Sequence, residues 1–156
     1  MNAHVDRPGT ITNRSMPPGT QGQVQYINPG TLHSNPAFTQ MVTVTGPVKT
    51  VYIGAQLAVD KDGTIVGKGD IAAQTEQIFK NIEACLDAAG AGPEHLIHWS
   101  IYVAAGQDMR PAFEAGMRWW GRRPNPPMNN VMYVAGFSPA DFLISIEATA
   151  VVPLEG

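Results

Sequence analysis

The stretch Asp70-Ile71-Ala72-Ala73-Gln74-Thr75-Glu76-Gln77-Ile78-Phe79-Lys80-Asn81-Ile82-Glu83-Ala84-Cys85-Leu86-Asp87-Ala88-Ala89-Gly90 decides the fold class. Its apolar residues, Ile71, Ile78, Phe79, Ile82, Leu86 and Ala89, recur close to helical spacing. Asp70 is a side-chain acceptor where a helix needs its first cap. Gly90 supplies the stop, and Pro93 lies just beyond it. An amphipathic helix between two β-rich regions must bury its apolar stripe on a sheet, which predicts an α+β arrangement.

Upstream, Met41–Val44 and Val48–Gln56 are β-rich runs around the turn dipeptide Gly46-Pro47. Thr64–Val66 follows the turn signal Asp62-Gly63, so the three runs are predicted as an antiparallel meander. Downstream, His95–Val103 gathers Ile, Trp, Tyr and Val in one predicted strand. Asp108 is the expected cap of a second helix reaching about Trp120, with Pro111 in its first turn, where the missing N–H costs little. Phe113, Met117 and Trp120 are its expected buried stripe. After the proline-rich loop Arg122–Pro127 come a strand at Val131–Val134, a turn at Gly136–Asp141 and a long alternating strand, Phe142–Val152. On that last strand Phe142, Ile144, Ile146, Ala148 and Ala150 share one face; Leu143, Ser145, Glu147 and Thr149 share the other. The predicted order is β-β-β-α-β-α-β-β, an α+β two-layer sandwich with both helices on one face of a mixed sheet. The other face has no helix to cover it, and self-association through it is the physical expectation.

The 156 residues suit one domain, since a domain takes roughly 150. The first 36 hold nine Gly or Pro residues and no sustained period. They are read as an arm and lead-in over 1–35: a flexible arm from Met1 to about Gln21, then an irregular segment with one short strand at Val24–Ile27. Residues 36–156 form the expected domain. Charged residues make up only 15% of the chain, against roughly 25% in an average domain, as though part of the surface were covered by another subunit. The net charge of −3 offers no basic field for nucleic acid. A single cysteine excludes an intrachain disulfide and any multi-thiolate metal site. No apolar run approaches the roughly 18 residues of a membrane helix, and no basic segment leads into an apolar one, so a cytoplasmic protein is expected.

Three groups of residues can carry chemistry, and each has a purely structural alternative. Gly54-Ala55-Gln56 ends a β-rich run, where small residues let a ligand approach backbone N–H groups or simply mark a bulge. Pro126-Pro127-Met128-Asn129-Asn130 presents two adjacent amides to a polar ligand, or uses asparagine for turn chemistry. Ser145, Glu147 and Thr149 set a carboxylate between hydroxyls, suited to general acid-base work or to a plain polar stripe. His95 and His98 are three apart on a predicted strand, point to opposite faces and cannot share a metal; no metal site is expected. Cys85 reads as a core-edge residue. Arg118, Arg122 and Arg123 around Trp119-Trp120 read as positive charge at a helix C-terminus in preference to a nucleotide patch.

The pattern resembles the RidA/YjgF family of reactive-intermediate deaminases. The residues that carry it are Val51-Tyr52-Ile53-Gly54-Ala55-Gln56, Asp70–Thr75, Asn81-Ile82, Cys85–Ala91 and Ile144-Ser145-Ile146-Glu147-Ala148-Thr149-Ala150. The likeness covers about Pro36 to Pro153. It implies a chorismate-mutase-like fold and a homotrimer with a central barrel and three inter-subunit clefts. Well-studied members hydrolyse 2-iminoacids and enamines to 2-oxoacids and ammonia without a cofactor. They use an arginine on the substrate carboxylate, a glutamate near the attacking water, a backbone N–H and an aromatic residue.

Carried over residue by residue, the arginine position falls on Asn129 and the glutamate position on Ser145, with Glu147 at the second acidic position. The backbone step is Gly54-Ala55-Gln56, and the aromatic position is Phe38. A neutral amide in place of a bidentate guanidinium forfeits about 1.5–3 kcal/mol of carboxylate binding. The resemblance therefore implies clefts lined by Phe38, Gly54, Ala55, Asn129, Asn130, Ser145 and Glu147 that bind a small polar metabolite, with weak activity on simple 2-iminoacids. A divergent imine or enamine deaminase and a non-catalytic metabolite-binding module both stay open. RNA cleavage, the third class, is opposed by the acidic balance and the lack of a basic stripe.

Overall fold

The computed structural model describes residues 19–156, so most of the expected flexible arm, residues 1–18 with His4, lies outside the described residues. The elements are β1 (Gln23–Ile27), β2 (Met41–Thr45), β3 (Val48–Gln56), α1 (Ile71–Ala88), a 3-10 turn at Pro93–His95, β4 (Leu96–Ala104), α2 (Arg110–Trp120), β5 (Met128–Val134) and β6 (Ile144–Pro153). Strands β3, β6, β4 and β5 lie side by side in that order. The first two junctions are antiparallel, and β4 and β5 run parallel, joined through α2.

The decisive helix forms as its spacing requires. Asp70 Oδ1 accepts the Ala73 N–H at 3.1 Å, satisfying one of the orphan donors of the first turn. Ile78, Ile82 and Leu86 are fully buried and, with Phe79, pack on Leu96, Trp99, Ile144, Ile146, Ala148 and Ala150. The apolar stripe of β6 is therefore the floor of the core, and α1 and α2 lie together above it. Gln74 is fully buried yet satisfied: its Nε2 donates to Gly67 O and Asp141 O, and its Oε1 accepts Leu143 N–H. That one amide ties the helix start to the approach of β6.

The meander does not form. β2 pairs with β1 and β3 pairs with β6. Gly46, at φ +78°, turns the chain tightly against the Gln21–Gly22 backbone, leaving β2 and β3 on different partners. Thr64–Val66 makes only an isolated bridge, Val59 to Ile65. The Asp60 carboxylate takes the N–H groups of both Asp62 and Thr64, so a side chain competes with the ladder for those donors. The lead-in strand β1 is tied to the domain by Tyr26, whose hydroxyl donates to Leu96 O at 2.8 Å.

Helix α2 differs from expectation at both its start and its face. Asp108 is not its N-cap: the cap is Met109, without a side-chain bond. The Asp108 carboxylate is taken up by Arg110, which donates from N, Nε and Nη2. This pairing holds the Asp108 carboxyl below its ordinary range and raises the Arg110 guanidinium. The buried residues of α2 are Ala112, Ala115 and Trp120, whereas Phe113 and Met117 are half exposed. Small residues allow close approach to α1, and that turns the larger side chains toward the rim. Strand β5 begins at Met128, three residues earlier than predicted, and β6 begins at Ile144, two later than predicted; β4 begins at Leu96 because His95 closes the 3-10 turn and accepts Gly92 N–H.

Candidate functional site

Strand geometry sorts the predicted site residues onto two sides of the sheet. Asn129 lies opposite Trp99 and Val131 opposite Ile101, on the face that carries Ile144 and Ile146 toward the helices. Because Asn129 and Asn130 are consecutive strand residues, their side chains point to opposite faces. The expected pair of loop amides is therefore corrected: Asn129 is half-buried on the helix side, and Asn130 is exposed.

Beneath α2 lies a cavity of about 320 Å³. Its walls come from the Asn35–Phe38 segment, α1 (Thr75, Phe79), α2 with its cap Met109, and the sheet, including Trp99, Ile101, Asn129 and Val131. The aromatic residues interlock. Phe79 stacks on Trp119 at 4.3 Å between centroids, and Trp99 meets Trp120 edge-on at 5.9 Å. The Trp119 N–H donates to Glu83 Oε1 and the Trp120 N–H to Arg123 O. The buried Trp99 N–H has no partner among the described residues. Thr39 Oγ1 donates to Pro126 O at 2.5 Å, binding the Phe38 segment to the loop that leads into Asn129. Of the predicted site residues, this cavity unites Phe38 and Asn129.

Gly54 and Glu147 line a second concavity, also about 320 Å³, with Tyr52, His98 and Thr149. It lies on the face opposite the helices. Gly54 and Ala55 fall in a register break between Ile53 and Gln56. They form a bulge and stand outside the ladder, both exposed. A Cβ at Gly54 would meet nothing within 4 Å, so open space lies before this backbone. Tyr102 Oη donates to Glu147 Oε1 at 3.2 Å. Ser145, by contrast, is 4% exposed and lines neither cavity. Tyr102, Tyr52, His98 and Trp99 were not singled out as site residues in the sequence, because only the pairing register reveals that they share faces with Glu147 or Asn129.

The other candidates have structural roles. Arg123 Nη1 donates to the carbonyls of Trp119 and Trp120, and its guanidinium lies over the Trp119 ring; Arg118 meets Glu76. The basic cluster finishes a helix, as its position suggested. Cys85 packs at the core edge. Among the described residues no group of His, Cys, Asp or Glu is arranged to hold a metal, and no helix is long and apolar enough to cross a membrane.

A mixed four-stranded sheet under two helices, with a concavity on each face, defines an α+β protein of the two-layer class. The family profile described as Endoribonuclease L-PSP matches residues 31–152, and the chain belongs to this family, the RidA/YjgF family of the sequence resemblance. A RutC family protein of Pyrococcus horikoshii is 36% identical over 101 residues, 64% of this chain and 77% of the relative. A conserved Rid-family protein of unknown function from Yersinia pestis matches with a TM-score of 0.73 at 29% identity, covering 83% of this chain and 98% of that one. The YjgF gene product of E. coli matches with a TM-score of 0.58 at 26% identity, covering 65% and 80%. The fold is the chorismate-mutase-like α+β fold of these proteins.

Proposed function

We propose that this chain forms a homotrimer whose inter-subunit clefts bind a small uncharged imine or enamine and hydrolyse it to an oxo product and ammonia. One observation carries the reading: Phe38 and Asn129 open on one side of the sheet, while Gly54 and Glu147 open on the other. A single chain holds two half-sites, and a neighbouring copy is what would join them. Exposed apolar residues support association. Tyr52 is 82% exposed on the open face, and the edge strand β5 presents Met132 and Tyr133.

In the joined cleft, the bulge at Gly54-Ala55 presents backbone N–H groups to developing negative charge. Glu147 takes a proton from water as its oxygen bonds to the C=N carbon and the π pair moves to nitrogen. It returns that proton to nitrogen, giving a carbinolamine; the hydroxyl proton then passes by the same carboxylate to the amino nitrogen as the C–N bond breaks, so that NH3 leaves and the C=O forms. No cofactor is needed for this balance. Asn129, at the position of the family's arginine, offers a neutral amide and no cation for a substrate carboxylate.

The test is ammonia release from 2-iminoacids generated in situ, with Asn129→Arg in parallel. Weak or absent turnover by the natural chain and a gain in the variant are expected; turnover equal to that of an arginine-bearing relative overturns the reading. Light scattering should give a trimer, and a monomer at micromolar concentration removes the shared cleft. Saturable ligand binding without any turnover would instead support the non-catalytic binding module.

A further inference from the structure

We propose that the cavity beneath α2 binds a neutral aromatic molecule of one or two fused rings, with one hydrogen-bonding group set against the Asn129 amide. This deepens the function proposed above and rests on it only for the role of Asn129.

The wall chemistry selects the ligand. None of the described residues lining this cavity is ionisable, so a carboxylate or ammonium entering it would lose its hydration with no opposite charge among them to meet. Phe38, Phe79, Trp99, Phe113 and Trp120 supply ring faces and edges, which favour a flat aromatic guest. Met109 and Met117 add adaptable thioethers. The volume of about 320 Å³ is roughly twice that of a dry cavity of about 150 Å³ that holds benzene. Half-exposed Phe113, Met117 and Val131 flank the mouth.

The polar groups say where the ligand is held. Thr75 Oγ1 is already bonded to Ile71 O, and Asn35 Oδ1 to Ala37 N–H. The Asn129 side chain, which lines the cavity, has no hydrogen-bond partner among the described residues. One amide, which can both donate and accept, suits a ligand with a single polar edge.

Gly116 provides a clean way to close the space. It lines the cavity from within α2, and a Cβ there would sit at ordinary contact distance, 3.5 Å, from Phe79. A leucine at this position favours the helix and sends its branch into the cavity.

The probes are 2-naphthol and its anionic counterpart 2-naphthoate, titrated into the full chain by calorimetry. Saturable binding of 2-naphthol is expected, with 2-naphthoate at least about tenfold weaker. Gly116→Leu should weaken 2-naphthol at least about tenfold with unchanged circular dichroism and a melting temperature no lower than that of the natural chain, and Asn129→Leu about three- to tenfold. Equal binding of the naphthoate, or undiminished binding by Gly116→Leu, overturns the proposal. If 2-naphthol fails to bind while Asn129→Arg gains iminoacid turnover, the aromatic ligand falls and the shared cleft stands. If 2-naphthol binds, Gly116→Leu blocks it, and the natural chain turns over 2-iminoacids at full rate, the aromatic ligand stands and the uncharged-imine function falls.

Discussion

The Tyr102 hydroxyl donates to Glu147 Oε1 at 3.2 Å, reaching diagonally from β4 to β6 on the sheet face opposite the helices. The bond fixes one carboxylate oxygen and leaves the other to the groove beside Gly54 and His98. If Glu147 handles the water proton, Glu147→Gln should lower turnover by about a hundredfold or more. Tyr102→Phe, which removes only the orienting bond, should lower it by about tenfold or less. Ammonia release by the two variants against the same imine separates these outcomes; equal rates for Glu147→Gln and the natural chain would take the carboxylate out of the reaction.

Gln74 fills three backbone hydrogen bonds from a fully buried position. Gln74→Ala orphans the Asp141 carbonyl and the Leu143 N–H and opens a void, while the Gly67 carbonyl keeps the Asp70 N–H. We expect a loss of about 3 kcal/mol, read as a lower urea midpoint at unchanged slope. A change under about 0.5 kcal/mol, the level of ordinary surface substitutions, would mean that water replaces the amide.

Burial raises the Tyr26 phenol above its ordinary value of 10.0, and its proton bonds to Leu96 O. The folded chain holds this proton more tightly than the unfolded one. The associated stability is fully present below pH 10 and is lost as pH rises through the folded value. Denaturation midpoints should therefore fall as the pH rises above 10 in the natural chain. The fall should be shallower in Tyr26→Phe, which starts about 1 kcal/mol lower at neutral pH.

The Asp60 carboxylate organises the loop before α1 by accepting two N–H groups. Asp60→Ala should cost about 1 kcal/mol or less and speed amide exchange at Asp62 and Thr64 while Ile82 and Leu86 stay protected. Exchange accelerated throughout α1 would show that the loop and helix open as one unit.

Local signals carried much of the architecture. The periodicity of Ile71 to Ala89, the Asp70 cap and the alternation from Ile144 to Ala150 are properties of neighbours along the chain, and the structure reproduces them. The meander failed, and of the predicted stripe on α2 Trp120 is buried while Phe113 and Met117 are not, because both features depend on distant partners. Nothing near Met41 announces that β1 will claim β2, and nothing near Phe113 announces that Ala112 and Ala115 will face the interior.

The site divides the same way. Sequence by itself determined the α+β class, the family resemblance and the neutral amide at Asn129, because residue types and short spacings are readable without contacts. Only the tertiary structure decided that Asn129 and Glu147 open on opposite sides of one sheet, that Ser145 is shut away from both cavities, and that Tyr102 holds Glu147. A strand's side chains alternate with a period of two, so moving a predicted strand start from Val131 to Met128 turns a loop pair into opposite faces. Register is set by the packing of the whole sheet, and that is information no local stretch contains.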